Sequence, residues 1–113
     1  MSFRKKLRNE KLRLGHYDYF IQKKDRPGYL VVTKNRIGLN DAARFSIQLD
    51  DYTSRYSGEV VLDLNKLDYL EDNTLGIFVQ AKRRLGKRIK FIWPEEERVM
   101  ATIRACKLER ILV

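Results

Sequence analysis

EVVLDL at residues 59–64, EDNTLGIFVQAKRRLG at residues 71–86 and RIKFIW at residues 88–93 decide the fold between them. The first is a short apolar run dense in β-branched residues, the pattern of a strand covered on both faces. The second opens on side chains that cap helices: Asp72 or Asn73 can accept from free N–H groups of a first turn. Leu75, Phe78, Val79 and Leu85 then supply an inward helical face, and Gly86 closes the helix behind a basic last turn. The third returns to strand composition. A strand, a helix and a strand in this order predict a parallel crossover.

Reading outward, the upstream chain adds a hairpin and a helix. HYDYFIQ at residues 16–22 alternates and is rich in aromatics, as a strand is. Asp25-Arg26-Pro27-Gly28 is turn chemistry, and Tyr29-Leu30-Val31-Val32-Thr33 follows as a second strand. Ala42, Phe45, Leu49, Tyr52 and Tyr56 recur every three or four residues, predicting a helix over roughly residues 41–55 with Asn40 as its cap. Downstream, Pro94 and Glu95-Glu96-Glu97 predict the start of a third helix, with Val99, Met100 and Ile103 facing inward. Ile111-Leu112-Val113 reads as a last edge strand. The expected order is β-β-α-β-α-β-α-β, an α/β fold with a small mixed, largely parallel sheet.

The bulk numbers bound what such a domain can do. The 113 residues allow one hydrophobic core, and 43% hydrophobic with 35% charged residues is a foldable, well-solvated composition. No apolar run approaches the roughly 20 residues that span a bilayer. The single cysteine, Cys106, fits a reducing cytoplasm, and one His with one Cys supplies no metal cluster. His16 reads as a turn or strand residue. The formal charge of +9 is concentrated in two places: Arg4, Lys5, Lys6, Arg8, Lys11 and Arg13, and again Lys82, Arg83, Arg84, Lys87, Arg88 and Lys90. Such clusters attract acidic proteins, phosphates or anionic lipid. Nucleic acid is not the expected partner, because no reading motif accompanies the charge. The organisation expected is a basic arm over residues 1–15 and one domain over residues 16–113.

Enzymatic chemistry finds no purchase. The six glycines are isolated, with no phosphate-cradling loop. No Ser or Cys sits in a nucleophile elbow, and no second His exists to act as a base. Asp63, Glu71 and Asp72 gather near one strand end, but acidic residues there more often cap helices and end strands. The chain is expected to be non-catalytic and free of cofactors.

The stretch VVLDLNKLDYLEDNTLGIFVQAKRRLGKRIKFIWPEEERVMATIRACKLERILV resembles the STAS domain, the fold of bacterial anti-sigma factor antagonists and of sulphate-transporter tails. The family pattern is a strand ending in Asp-Leu, a short apolar loop, Asp-Ser-Ser-Gly-Leu-Gly, then a helix closing with Leu-Gly. Here Asp63-Leu64 ends the strand, Leu67 to Leu70 form the loop, Glu71-Asp72-Asn73-Thr74-Leu75-Gly76 occupy the signature, and Leu85-Gly86 close the helix. The similarity spans roughly residues 29–113, with the hallmark loop half kept.

The resemblance implies a partner-binding regulatory module that works by partner switching in transcription regulation. Its regulatory members are switched when a kinase, itself the anti-sigma factor, phosphorylates the second serine of the loop. A charge near −2 at a helix start inside an interface can break it. That acceptor position is Asn73, which has no hydroxyl and cannot be phosphorylated; Thr74, one residue on, is the shifted alternative. The expected contact residues are Asn40, Glu71, Asp72, Asn73, Thr74, Leu75 and Gly76. The expected partner is an anti-sigma factor or serine-kinase-like ATPase. The alternative is an accessory subunit of a membrane transport complex for lipid or anions, its basic patches lying on an anionic surface. The first 28 residues exceed what the family needs, and remain open to an extra strand, a homodimer contact or a seat on a membrane.

Overall fold

The computed structural model describes residues 17–113. The expected arm at residues 1–15 and His16 lie outside the described residues.

Ten elements follow one another: β1 (Phe20–Gln22), β2 (Tyr29–Val32), β3 (Arg36–Ile37), α1 (Leu39–Arg55), β4 (Val60–Asp63), β5 (Tyr69–Leu70), α2 (Leu75–Leu85), β6 (Ile89–Ile92), α3 (Glu97–Ala105) and α4 (Glu109–Leu112). Short 3-10 turns precede α2 at Asp72–Thr74 and follow it at Gly86–Arg88. The main sheet runs β1-β2-β4-β6. Only β1–β2 is antiparallel; β2–β4 and β4–β6 are parallel. This is the mixed, mostly parallel α/β sheet that the alternation of strands and helices predicts.

Alternation along the strands separates two faces. Leu30, Val32, Val60, Leu62 and Ile89 are fully buried. Cross-strand register places Leu30 beside Leu62 and Leu62 beside Phe91. Phe45 of α1 and Phe78 of α2 stand edge-on at 6.1 Å, Phe45 reaches Phe20 of β1, and Phe78 reaches Phe91 of β6. Helices α1 and α2 therefore cover that face, and each large side chain so buried contributes roughly 1.5–3 kcal/mol. The opposite face, with Tyr29, Val31, Val61, Asp63 and Ile92, is only half-buried, and Ile21 on it is 45% exposed. This corrects the reading of residues 59–64 as a strand covered on both sides. A continuous apolar run does not say whether its second face is packed or merely crowded by neighbouring strands.

The hairpin forms as its turn residues dictate. Asp25 and Gly28 take positive φ of 64° and 87°, and the amide of Lys23 donates to the carbonyl of Tyr29 at 2.7 Å. A Cβ on Gly28 would lie 2.2 Å from the Glu59 carbonyl oxygen, so both dihedral and space demand glycine. The first strand is shorter than residues 16–22. Residues 17–19 instead strap α1: Tyr17 donates to Asp51 at 2.7 Å, the Asp18 amide to Gln48 at 2.7 Å and Tyr19 to Asp41 at 3.0 Å.

Three more expectations change. Helix α1 starts at Leu39, with Gly38 and not Asn40 in the capping position; the Asp41 carboxylate reaches back to the Gly38 amide at 3.4 Å. Pro94 lies ahead of α3, which begins at Glu97 after Glu96. Ile111-Leu112-Val113 is not a strand. Residues 109–112 make one helical turn, Leu112 is buried, and its carbonyl accepts from the Trp93 indole at 2.8 Å. Three apolar residues cannot distinguish helix from strand locally; the tertiary contact does.

Candidate functional site

The strand β4 ends at Asp63, whose carboxylate accepts from Tyr29 at 2.7 Å and from the Asn65 amide at 3.0 Å. The chain then turns through Leu64 and Leu67, both buried, so the apolar loop anchors in the core. Tyr69-Leu70 pairs in parallel with Arg36-Ile37, an element that periodicity missed because two residues have no period. Pairing sets Ile37 beside Leu70, which brings the start of α1 next to the 71–76 turn. Arg36 and Glu71 meet at 3.4 Å across this junction, and the Arg36 guanidinium lies 4.5 Å from the Tyr69 ring.

Within the turn, half of the residues face solvent. Asp72, Asn73 and Gly76 are exposed and Glu71 is intermediate, whereas Thr74 and Leu75 are buried. The Thr74 hydroxyl donates to the Glu71 carbonyl at 2.8 Å, and its amide donates to the same oxygen at 3.0 Å. Neither Asp72 nor Asn73 caps by its side chain; Glu71 and Thr74 hold the capping positions without a side-chain bond to the helix. Asn40 is exposed in the first turn of α1, which packs against the Asp72–Thr74 turn. The structure thus leaves Asn40, Asp72, Asn73 and Gly76 exposed on neighbouring elements and buries Thr74 and Leu75.

Exposed side chains continue along α1. Leu39 is 61% and Ile47 67% exposed, large apolar side chains two turns apart on α1 with exposed Ala43 between them. Beside this row runs a shallow groove of about 260 Å3, lined by Ser46, Leu49 and Asp50 of α1 and Ile77, Gln80, Ala81 and Arg84 of α2. Arg84 bridges its walls, 2.5 Å from Asp50 and 2.9 Å from the Thr53 hydroxyl. The exposed row is legible in the sequence as apolar residues at positions 39, 43 and 47, off the core stripe.

The second basic cluster is largely occupied. Besides Arg84, Arg88 donates to the carbonyls of Tyr56 and Gly58, Lys82 to that of Ile89, and Lys90 pairs with Glu59 at 3.6 Å. Among the described residues, no group of three His, Cys, Asp or Glu side chains converges as a metal would require. None of the described helices is long and apolar enough to cross a membrane.

A scan against protein-family models finds no match, and no curated protein matches the chain.

Proposed function

We propose that the protein is a non-catalytic, partner-binding regulatory module of the anti-sigma-antagonist kind, with STAS-like organisation. One observation carries this reading: Asp72, Asn73 and Gly76 of the turn are exposed on a domain that also carries the solvent-facing apolar row Leu39, Ala43 and Ile47 and the groove between α1 and α2. Large apolar side chains that stay in water while the core is filled suit a surface meant to be covered. The groove's apolar floor and polar walls suit an amphipathic segment of a partner.

The usual switch is absent at this turn. Asn73 is exposed where the family places its phosphorylated serine, and it stays neutral, as the unphosphorylated state is. Thr74 has the hydroxyl, but it is buried and already donating. The module is therefore constitutively competent to bind, and its regulation lies with the partner.

Affinity purification of the tagged protein from its own cell tests this. The expected companion is an anti-sigma factor or histidine-kinase-like ATPase, lost from Leu39→Asp and Ile47→Asp variants that melt normally. Recovery of a membrane transport complex would favour the accessory-subunit reading. A companion that both variants retain would overturn the assignment of this surface.

A further inference from the structure

Residues 17–113 contain eighteen Lys and Arg against fourteen Asp and Glu, a surplus of four. The fold gathers that surplus at one end. Because β2, β4 and β6 are parallel and in register, their starts at Tyr29, Val60 and Ile89 share one edge of the molecule. The hairpin turn brings Lys23, Lys24 and Arg26 there. The end of α1 brings Arg55, and the turn after α2 brings Lys87, Arg88 and Lys90. Against these seven stand Asp25, Glu59 and Asp51, the last paired with Arg55 at 3.2 Å, so this end holds a surplus of four and the rest of the domain is balanced. All seven are exposed except Arg88, which is half-buried. Three stretches separated in sequence build this pole, and the hairpin half of it has no place in the 82–90 cluster.

The chemistry around the pole selects among polyanions. Single-stranded nucleic acid is held by stacking on free aromatic rings. The rings here are engaged: Tyr29 is covered by Lys23 at 5.1 Å and Arg26 at 4.4 Å, with its hydroxyl held by Asp63. Half-buried Tyr56 packs 5.8 Å from Tyr52 and donates to the Pro27 carbonyl at 3.2 Å. Helices α1 and α2 direct their C-termini here, so neither presents an N-terminus to a phosphate. What adjoins the basic rim is instead the half-open sheet face, with Ile21, Val31 and Val61. Basic side chains edging an apolar strip match the boundary of headgroups and acyl chains.

We infer that the strand-start end of the domain, centred on Lys24 and Lys87, is a docking surface for an anionic membrane leaflet. It lies at the far end of the sheet from the 71–76 turn, so the domain can sit on lipid while that turn faces a partner. Neither Lys24 nor Lys87 has a side-chain partner among the described residues, which leaves both ammonium groups available.

Sedimentation of the full chain with vesicles of phosphatidylserine and phosphatidylcholine tests this. The control variant Lys34→Glu/Lys66→Glu changes the net charge equally, on exposed side chains away from the pole. Each neutralised base near such a surface weakens binding by roughly fivefold. Lys24→Gln/Lys87→Gln should therefore bind about 25-fold more weakly. Lys24→Glu/Lys87→Glu should lose more, and the control should stay within about threefold. Equal loss in Lys24→Glu/Lys87→Glu and the control would assign the attraction to net charge or to the basic residues 4–13, and would overturn the inference. So would equal binding to vesicles of phosphatidylcholine alone, or absence of binding by the unaltered chain. A short RNA or DNA duplex that binds more tightly than the vesicles and depends on the same two lysines would overturn it in favour of nucleic acid.

Discussion

The hydroxyl of Thr74 donates to the carbonyl of Glu71 at 2.8 Å, and Thr74 is wholly buried while its neighbour Asn73 is exposed. One residue thus separates a side chain that a kinase can reach from one that holds the turn together. Thr74→Val, similar in shape, should cost about 1 kcal/mol in urea denaturation. Thr74→Asp, an unpaired charge in the same buried place, should cost at least about 3 kcal/mol. Asn73→Ser should leave stability within about 0.5 kcal/mol and create the accessible hydroxyl that the turn lacks. Labelling of that serine by a co-purifying kinase, with none on Thr74, is the expected mass-spectrometric result.

Tyr52 holds the hairpin to α1 from within the core. Its hydroxyl donates to Gln22 at 2.6 Å and accepts from the Gly28 amide at 2.9 Å. Tyr52→Phe strands that buried amide and should cost about 1–3 kcal/mol in urea.

Burial also pushes the Tyr52 phenol above the ordinary tyrosine value of 10. The folded state then holds the proton more tightly than the unfolded chain. Its contribution is fully present below pH 10, and is lost as the pH rises through the higher folded value. The urea midpoint should fall between about pH 9 and pH 11, and fall less steeply in Tyr52→Phe. An equal slope in the variant would mean that Tyr52 titrates alike in both states. Tyr19 and Tyr29 are raised too, the first mainly by burial and the second mainly by its bond to Asp63, so part of the slope should survive.

Two glycines should respond with opposite signs. Gly28 combines positive φ with a carbonyl where a Cβ would go, so Gly28→Ala should cost roughly 3–5 kcal/mol. Gly76, in the first turn of α2, has nothing within 4 Å of an added Cβ. Gly76→Ala should raise stability by about 0.5–1 kcal/mol. Thermal melts of the two variants check both signs.

The C-terminal turn is held by burial of Leu112 and by its carbonyl's bond to the Trp93 indole. Leu112→Ala should cost about 2–4 kcal/mol. Trp93→Phe, which keeps an aromatic ring against Phe78, should cost about 1 kcal/mol by losing the hydrogen bond. Urea denaturation of both variants, followed by far-ultraviolet circular dichroism, checks these values.

The long periodic elements were readable before any coordinates. Phe45, Leu49 and Tyr52 mark the inner face of α1, and Leu75, Phe78 and Leu85 that of α2, because a helix repeats its core contacts every three or four residues. The hairpin was readable because Pro27 fixes φ and Gly28 admits the positive φ that the turn requires. The 71–76 turn was found from its residues, but their division into exposed Asn73 and buried Thr74 was not. Adjacent residues of a 3-10 turn point different ways, and only the packing against α1 decides which way is in.

Amino-acid order by itself therefore determined the number and kind of the long elements and most of the core residues, since these rest on contacts a few residues apart. It also set the charge of each basic stretch. Tertiary structure alone decided that β3 and β5 pair, that residues 109–112 coil and that one face of the sheet stays half open. It also decided that Arg84 and Arg88 turn to internal acceptors while Lys24 and Lys87 share an edge. Each of these depends on groups about 20 to 60 residues apart, and chain connectivity carries no local record of such meetings.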